Sequence, residues 1–318
     1  LVFTVVTNGF KSINSSFLFS ENIKKILMQA IYKIPGYILC LLGGFFLSWG
    51  GLIIRSFETT DIWKILTIRS LFFIAALIIF LFATYKKNTI KTIISSGFPA
   101  ITAGLFLSLS FVAYIVAMSK TSVASVVFII STQTIFLAVF GFLFLKEKIT
   151  LKGLISIALA FFGIMVMLGD SINEGTLFGN IVAFAIPINF TILVMIIRKF
   201  PKLDMVPAIF YSGIFSGLYG IFLTSNFSFS PNDLLMGFLL GVPQLAFGFI
   251  CVTIGSKTTP AVTVGLLMLL ETIFAPLWVW IFLNEVPPAS VFVGGAIIIS
   301  AVILKSFDKS KEINKINN

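Results

Sequence analysis

Apolar runs of about 20 residues recur along the chain, separated by short clusters of charged and turn-forming residues. That is the length needed to cross a hydrocarbon core ~30 Å thick. Ten such runs can be drawn, and in the first half they cover Gly36–Ile54, Leu66–Thr84, Pro99–Met118, Ser122–Phe144 and Thr150–Leu168. In the second half they cover Leu177–Ile197, Met205–Thr224, Leu234–Ile254, Pro260–Leu283 and Pro288–Lys305. Lipid offers no partner for a backbone amide, and the strict alternation of a lipid-facing barrel strand is absent, so each run is predicted as a helix. The pattern predicts an all-α polytopic membrane protein with ten transmembrane helices and no room between them for a soluble domain.

Composition agrees with the pattern. The 318 residues are 58% hydrophobic and 11% charged, with mean hydropathy +1.10. Soluble domains carry roughly 25% charged residues. A net charge of +10 raises the question of a nucleic-acid partner. Lys and Arg stand at the ends of apolar runs rather than on one basic face, so no such partner is predicted. The chain holds no histidine, which excludes His-dependent metal sites, Ser–His triads and His proton relays within it. Cys40 and Cys251 each lie in an apolar run without a Cys-x-x-Cys pattern and read as free thiols packed between helices. Neither a metal nor a cofactor is predicted.

The basic residues also set the orientation. With the amino terminus in the cytoplasm, every Lys and Arg except Arg55, Lys64, Arg69 and Lys120 falls on the cytoplasmic side. Both termini are therefore expected there, in a multi-pass protein of the cell membrane. Residues 1–35 read as a cytoplasmic tail and 306–318 as a second one. The chain opens Leu1-Val2-Phe3 without a basic leader, and Met28, after Lys24-Lys25, is a plausible alternative start.

The chain resembles itself. Ser119-Lys120-Thr121 returns as Ser256-Lys257-Thr258, Gln133-Thr134-Ile135-Phe136 as Glu271-Thr272-Ile273-Phe274, and Leu145-Lys146-Glu147 as Leu283-Asn284-Glu285. The fourth predicted span thus corresponds to the ninth, and residues 36–168 and 177–305 are two copies of a five-helix unit. Five is odd, so the second copy enters the membrane from the opposite side. Inverted repeats of this kind are common in secondary transporters, where one half rocks against the other around a fixed site.

These residues resemble a known family. Ala117-Met118-Ser119-Lys120-Thr121-Ser122-Val123-Ala124, Thr134-Ile135-Phe136 and Phe144-Leu145-Lys146-Glu147 are similar to the EamA-type branch of the drug/metabolite transporter superfamily. The second half repeats the signature as Leu270-Glu271-Thr272-Ile273-Phe274-Ala275 and Phe282-Leu283-Asn284-Glu285, and Ile68-Arg69-Ser70-Leu71-Phe72 resembles the family's arginine segment in the second span. The resemblance implies a ten-helix carrier of small metabolites, often amino acids, commonly exported. The family usually has Pro where this chain has Thr134 and Thr272, so a proline kink is not expected there.

A charge at the centre of a membrane helix costs roughly 2.5–3.5 kcal/mol on insertion scales. Glu271 is the one acid well inside a predicted span, and its repeat counterpart Gln133 falls at the middle of the fourth. The pair predicts a central substrate- or proton-binding site, extended by Thr134, Thr272 and Ser131. Glu271 would bind a cationic group or carry a coupling proton; the alternative is a carboxyl hydrogen-bonded for packing. Arg69, one turn inside the outer end of its predicted helix, either snorkels to the headgroups or meets an anionic group of the substrate. Tyr114, Tyr211 and Trp280 are further candidates to line the site, as are Asn189, Tyr219 and Gln244. Glu147 and Glu285 close the fourth and ninth spans and read as helix-end or gate residues paired with nearby Lys. Pro187 and Pro243 fall inside spans and would interrupt the helical ladder. Gly213/Gly217 and Gly237/Gly241 allow close helix approach, within one chain or between two.

The reading with most support is a secondary transporter of a small metabolite, with the lipid bilayer and possible coupling protons as its other partners. No Gly-x-x-x-x-Gly-Lys-Ser/Thr loop stands in these residues to power it with ATP. A lipid-handling protein is the alternative. An intramembrane enzyme would need a second clustered acid, a metal site or a nucleophile with its base.

Overall fold

The computed structural model describes residues 31, 33–121, 123–147, 149–168, 177–284 and 289–306. Glu285 and most of both tails lie outside the described residues. The described chain forms ten helical rods. The first five are α1 (Gly36–Leu47 continued by Gly50–Arg55), α2 (Ile62–Tyr85), α3 (Gly97–Lys120), α4 (Val123–Ser131 and Gln133–Leu145) and α5 (Leu151–Leu168). The others are α6 (Leu177–Ala183 and Ala185–Lys199), α7 (Val206–Leu223), α8 (Pro231–Ser256), α9 (Ala261–Met268 and Leu270–Leu283) and α10 (Ala289–Ser306). Eight are long and apolar enough to cross a membrane, while α5 and α10 carry shorter apolar helices, Leu151–Val166 and Phe292–Leu304.

Polar caps move two helix starts ahead of the apolar runs. α2 begins at Ile62 because Asp61 accepts from the Trp63 and Lys64 N–H groups at 2.9 and 3.4 Å. That places Arg69 about two turns inside the helix, not one. α8 begins at Pro231, whose missing N–H costs nothing in a first turn, with Ser230 capping the Asp233 N–H at 3.1 Å. A short helix, Thr89–Ser95, separates α2 from α3.

The repeat is visible in the backbone. α4 ends in a left-handed residue, Lys146, at φ 55°, and α9 ends in its counterpart Asn284, also left-handed, at φ 58°. Two pairs of equivalent rods pack antiparallel. Thr134 meets Gly265 while Gly141 meets Ala261, so α4 and α9 run in opposite directions. Likewise Thr67 lies against Gly220, Ser70 against Ser216 and Phe73 against Gly213, which sets α2 antiparallel to α7. α5 packs on α10 through Gly163 and Gly294. The α3–α6 contact and its repeat equivalent, α8–α1, both join one half to the other.

Both small-residue faces are occupied within this chain, and by the same rod. Gly213 and Gly217 of α7 lie against Phe73, Ile74 and Ser70, while Gly237 and Gly241 of α8 lie against Ile68, Phe72 and the Arg69 backbone. α2 is thereby wedged between two close-packed neighbours.

Four rods bend at mid-length. At Trp49 of α1, Thr132 of α4, Phe184 of α6 and Leu269 of α9 the N–H bonds three residues back instead of four, at 3.4, 3.1, 3.2 and 3.2 Å. Each is a short 3₁₀ step inside a longer helical rod, and in α4 and α9 a second three-back bond follows, from Ile135 to the Thr132 carbonyl and from Thr272 to the Leu269 carbonyl. α4 and α9 therefore bend without the family's proline. Pro187 follows the α6 bend by three residues, and Pro243 sits in a π-helical turn, Leu240–Phe247, of α8. A proline ring clashes with the carbonyl four residues before it, which accounts for the widened turn.

Candidate functional site

The bends surround a cavity. Its walls come from α3, α4 and α6 on one side and from their repeat counterparts α8, α9 and α1 on the other, with Arg69 of α2 added. The volume open to the centres of water-sized molecules is about 60 Å³, room for several waters or a small polar group. Phe111, Phe190, Phe249, Leu107 and Met268 make most of the wall apolar.

Glu271 and Gln133 both line it, so the repeat-related pair faces one space. Gln133 is buried. Glu271 is half-buried, with no hydrogen bond or ion pair to any described residue. Tyr114 also lines the cavity and stands near enough to Glu271 and Arg69 to feel both charges.

Arg69 is only 1% exposed. Its Nη2 donates to the Phe111 carbonyl at 3.3 Å, its guanidinium lies 5.1 Å from the Phe111 ring centre, and its Nε has no partner among the described residues. The reading in which it snorkels to the headgroups is therefore corrected: the earlier helix start and the wedging of α2 carry it into the interior. A cation over an aromatic face recovers only part of its lost hydration.

Gln244 was one of several polar residues that could line a cavity, and it does. The π-helical turn carries it to the wall, where its Nε2 donates at 3.1 Å to the carbonyl of Leu47, just before the α1 bend. Its Oε1 is buried without a partner among the described residues. Gly50 makes this approach possible, since a Cβ there would stand 2.5 Å from the Tyr114 hydroxyl and 3.0 Å from Gln244 Nε2.

Other candidates lie elsewhere. Ser131 donates to the Phe128 carbonyl at 2.5 Å, and Thr134 donates to the Gly265 carbonyl at 3.0 Å. These are the carbonyls that the bends at Thr132 and Leu269 release, and Ser48 serves Phe45 in the same way at 2.6 Å. Thr272 is buried outside the cavity wall. Tyr211 reaches toward the Ile93 carbonyl, 3.5 Å away, near the turn between α2 and α3. Trp280 is 39% exposed and meets Phe292 of α10 edge to face. Nine residues separate it from Glu271, about two and a half helical turns, so it points from the opposite side of α9. Asn189 and Tyr219 are also absent from the wall.

The Lys-rich end of the bundle is tied across the repeats. Glu147, just past α4, accepts from Arg198 Nε at 2.6 Å and from the Ala261 N–H at 2.9 Å. The pairing is completed by Arg198 Nη2, while Arg198 Nη1 donates to the Ser256 and Thr259 carbonyls. The carboxylate thus meets the positive start of α9 and the guanidinium the negative end of α8. The partner is an arginine closing α6, where a lysine was expected; a planar guanidinium can serve a carboxylate and two carbonyls at once. At the opposite end Asp233 accepts from the Glu58 and Thr59 N–H groups at 2.9 and 3.2 Å, joining the α1–α2 loop to α8. Cys40 and Cys251 are buried free thiols.

Comparison with known proteins accords with this architecture. The chain is 25% identical over 229 residues to an uncharacterized transporter of Clostridium kluyveri, a match spanning 67% of this chain and 72% of that one. A crystal structure with 14% identity superposes over 89% of this chain and 99% of its own, with a TM-score of 0.71, which speaks for the fold alone. Residues 34–169 and 175–307 each match the EamA-like transporter family. Two tandem matches, divided where the internal repeat divides, place this multi-pass membrane protein in the EamA-like transporter family.

Proposed function

We propose that the ten rods all span the cell membrane, with the Lys-rich end in the cytoplasm, and carry a small polar metabolite such as an amino acid outward by alternating access. The cavity between the two inverted halves is the substrate site. Glu271 binds a cationic group of the substrate or a coupling proton, Gln133 faces it from the other half, and Arg69 offers positive charge to an anionic group. Glu147 and Arg198 form the inner gate, which must part for the cavity to open to the cytoplasm.

One observation carries this reading. Glu271 and its repeat counterpart Gln133 line the same cavity at the bends of α9 and α4, and the carboxylate has no described protein partner. A carboxyl retained only for packing would be hydrogen-bonded to a neighbour. Counterflow of pooled ¹⁴C-labelled amino acids in proteoliposomes tests it. Glu271→Gln is expected to abolish flux while the purified protein stays monodisperse, and full retained flux would refute the role.

A further inference from the structure

We infer that Thr134 is a positioning residue for Glu271: its hydroxyl, reaching across the interface between the two repeats, takes the carbonyl released by the α9 bend and so sets where the carboxylate stands in the cavity. This rests on the reading of Glu271 as the site's acid.

The two repeat-related bends are closed differently. In α4 the 3₁₀ step at Thr132 releases the Phe128 carbonyl, and Ser131 of the same helix takes it at 2.5 Å. That bend is self-contained. In α9 the step at Leu269 turns its N–H from Gly265 to Leu266, and the Gly265 carbonyl is taken by Thr134 of α4 at 3.0 Å. Both groups are buried, so without the hydroxyl this carbonyl has no water to turn to. Gly265 permits the approach, because a Cβ there would lie 2.8 Å from the Thr134 Cα.

Glu271 follows the bend by two residues. If the Gly265 carbonyl reclaims the Leu269 N–H, the step relaxes toward regular α-helix and the segment after it rotates by some tens of degrees, the difference between three and 3.6 residues per turn. The carboxylate then leaves its place opposite Gln133. Sliding of α4 against α9 would break the Thr134 contact, so the bond links relative motion of the halves to the position of the acid. Thr134 itself lies outside the cavity wall and acts through α9.

The test compares Thr134→Val, which keeps the shape and removes the hydroxyl, with Thr134→Ser, which keeps the hydroxyl. Two readouts are taken in proteoliposomes: half-saturation for pooled ¹⁴C-labelled amino acids, and the rate at which dicyclohexylcarbodiimide modifies Glu271, followed by mass spectrometry. Loss of one buried hydrogen bond predicts a change of about five-fold in half-saturation for Thr134→Val, an altered modification rate, and recovery to within about two-fold in Thr134→Ser. If the valine variant does not fold, Thr134→Ala takes its place. Wild-type values for the hydroxyl-free variant, or equal defects in both variants, overturn the inference. Glu271→Gln is run alongside: normal flux there refutes the acid's role itself, whereas abolished flux with an indifferent Thr134→Val removes only the positioning role.

Discussion

Arg198 donates from Nε to Glu147 across 2.6 Å and joins the end of α6 in the second repeat to the loop after α4 in the first. Both side chains are nearly enclosed, at 11% and 13% exposure. The pair also serves the facing ends of α8 and α9: separating the halves at this end breaks the ion pair and the Ala261 N–H bond to Glu147, whereas the Arg198 bonds to the Ser256 and Thr259 carbonyls stay within the second repeat.

Glu147→Gln is therefore expected to favour opening at the Lys-rich end. Leaving Arg198 without its acid should shift the balance between closed and open forms by on the order of 2 kcal/mol, less than for a fully buried pair because some solvent reaches it. In a Cys40→Ser, Cys251→Ser background, a cysteine at Ser110 on the cavity wall should react severalfold faster with an impermeant maleimide added from that side. Combining Glu147→Arg with Arg198→Glu should restore part of the protection; equal labelling in all forms would show that the pair holds nothing shut.

Arg69 separates stability from function. Among the described residues its buried guanidinium has one hydrogen bond and an unpartnered Nε. Replacing a buried, poorly compensated charge by an apolar side chain of similar length removes its desolvation penalty, on the order of several kcal/mol for an ion, and gives up one hydrogen bond and the Phe111 contact. Arg69→Met should thus keep or raise the melting temperature in detergent while amino-acid counterflow is lost. A melting temperature that falls with flux intact would mean that Arg69 serves packing only.

Gly50 should be intolerant of even one methyl group. A Cβ there meets the Tyr114 hydroxyl at 2.5 Å and Gln244 Nε2 at 3.0 Å. Overpacking of this kind costs roughly 1–3 kcal/mol. Gly50→Ala should lower the melting temperature by several degrees, and adding Tyr114→Phe should recover part of the loss by removing the nearer oxygen. No recovery in the double variant would point to backbone effects instead.

Sequence alone determined the helices, their bounds to within about a turn, the two copies and the equivalence of Gln133 with Glu271. Apolar run length and residue identity suffice for those, because a bilayer admits few alternatives to a helix. The depth of Arg69 was not legible: it depended on Asp61 capping α2 early and on glycines of α7 and α8 closing around that rod. Trp280 was placed in the site by its type, whereas its phase on α9 turns it toward α10. The partners of Thr134 and Glu147, Gly265 and Arg198, emerged only when rods distant in the chain were brought together. The physical reason is that a membrane helix can be apolar on every side, so hydropathy marks where it crosses without saying which face meets a neighbour. Only packed glycines, bends and buried hydrogen bonds decide that rotation.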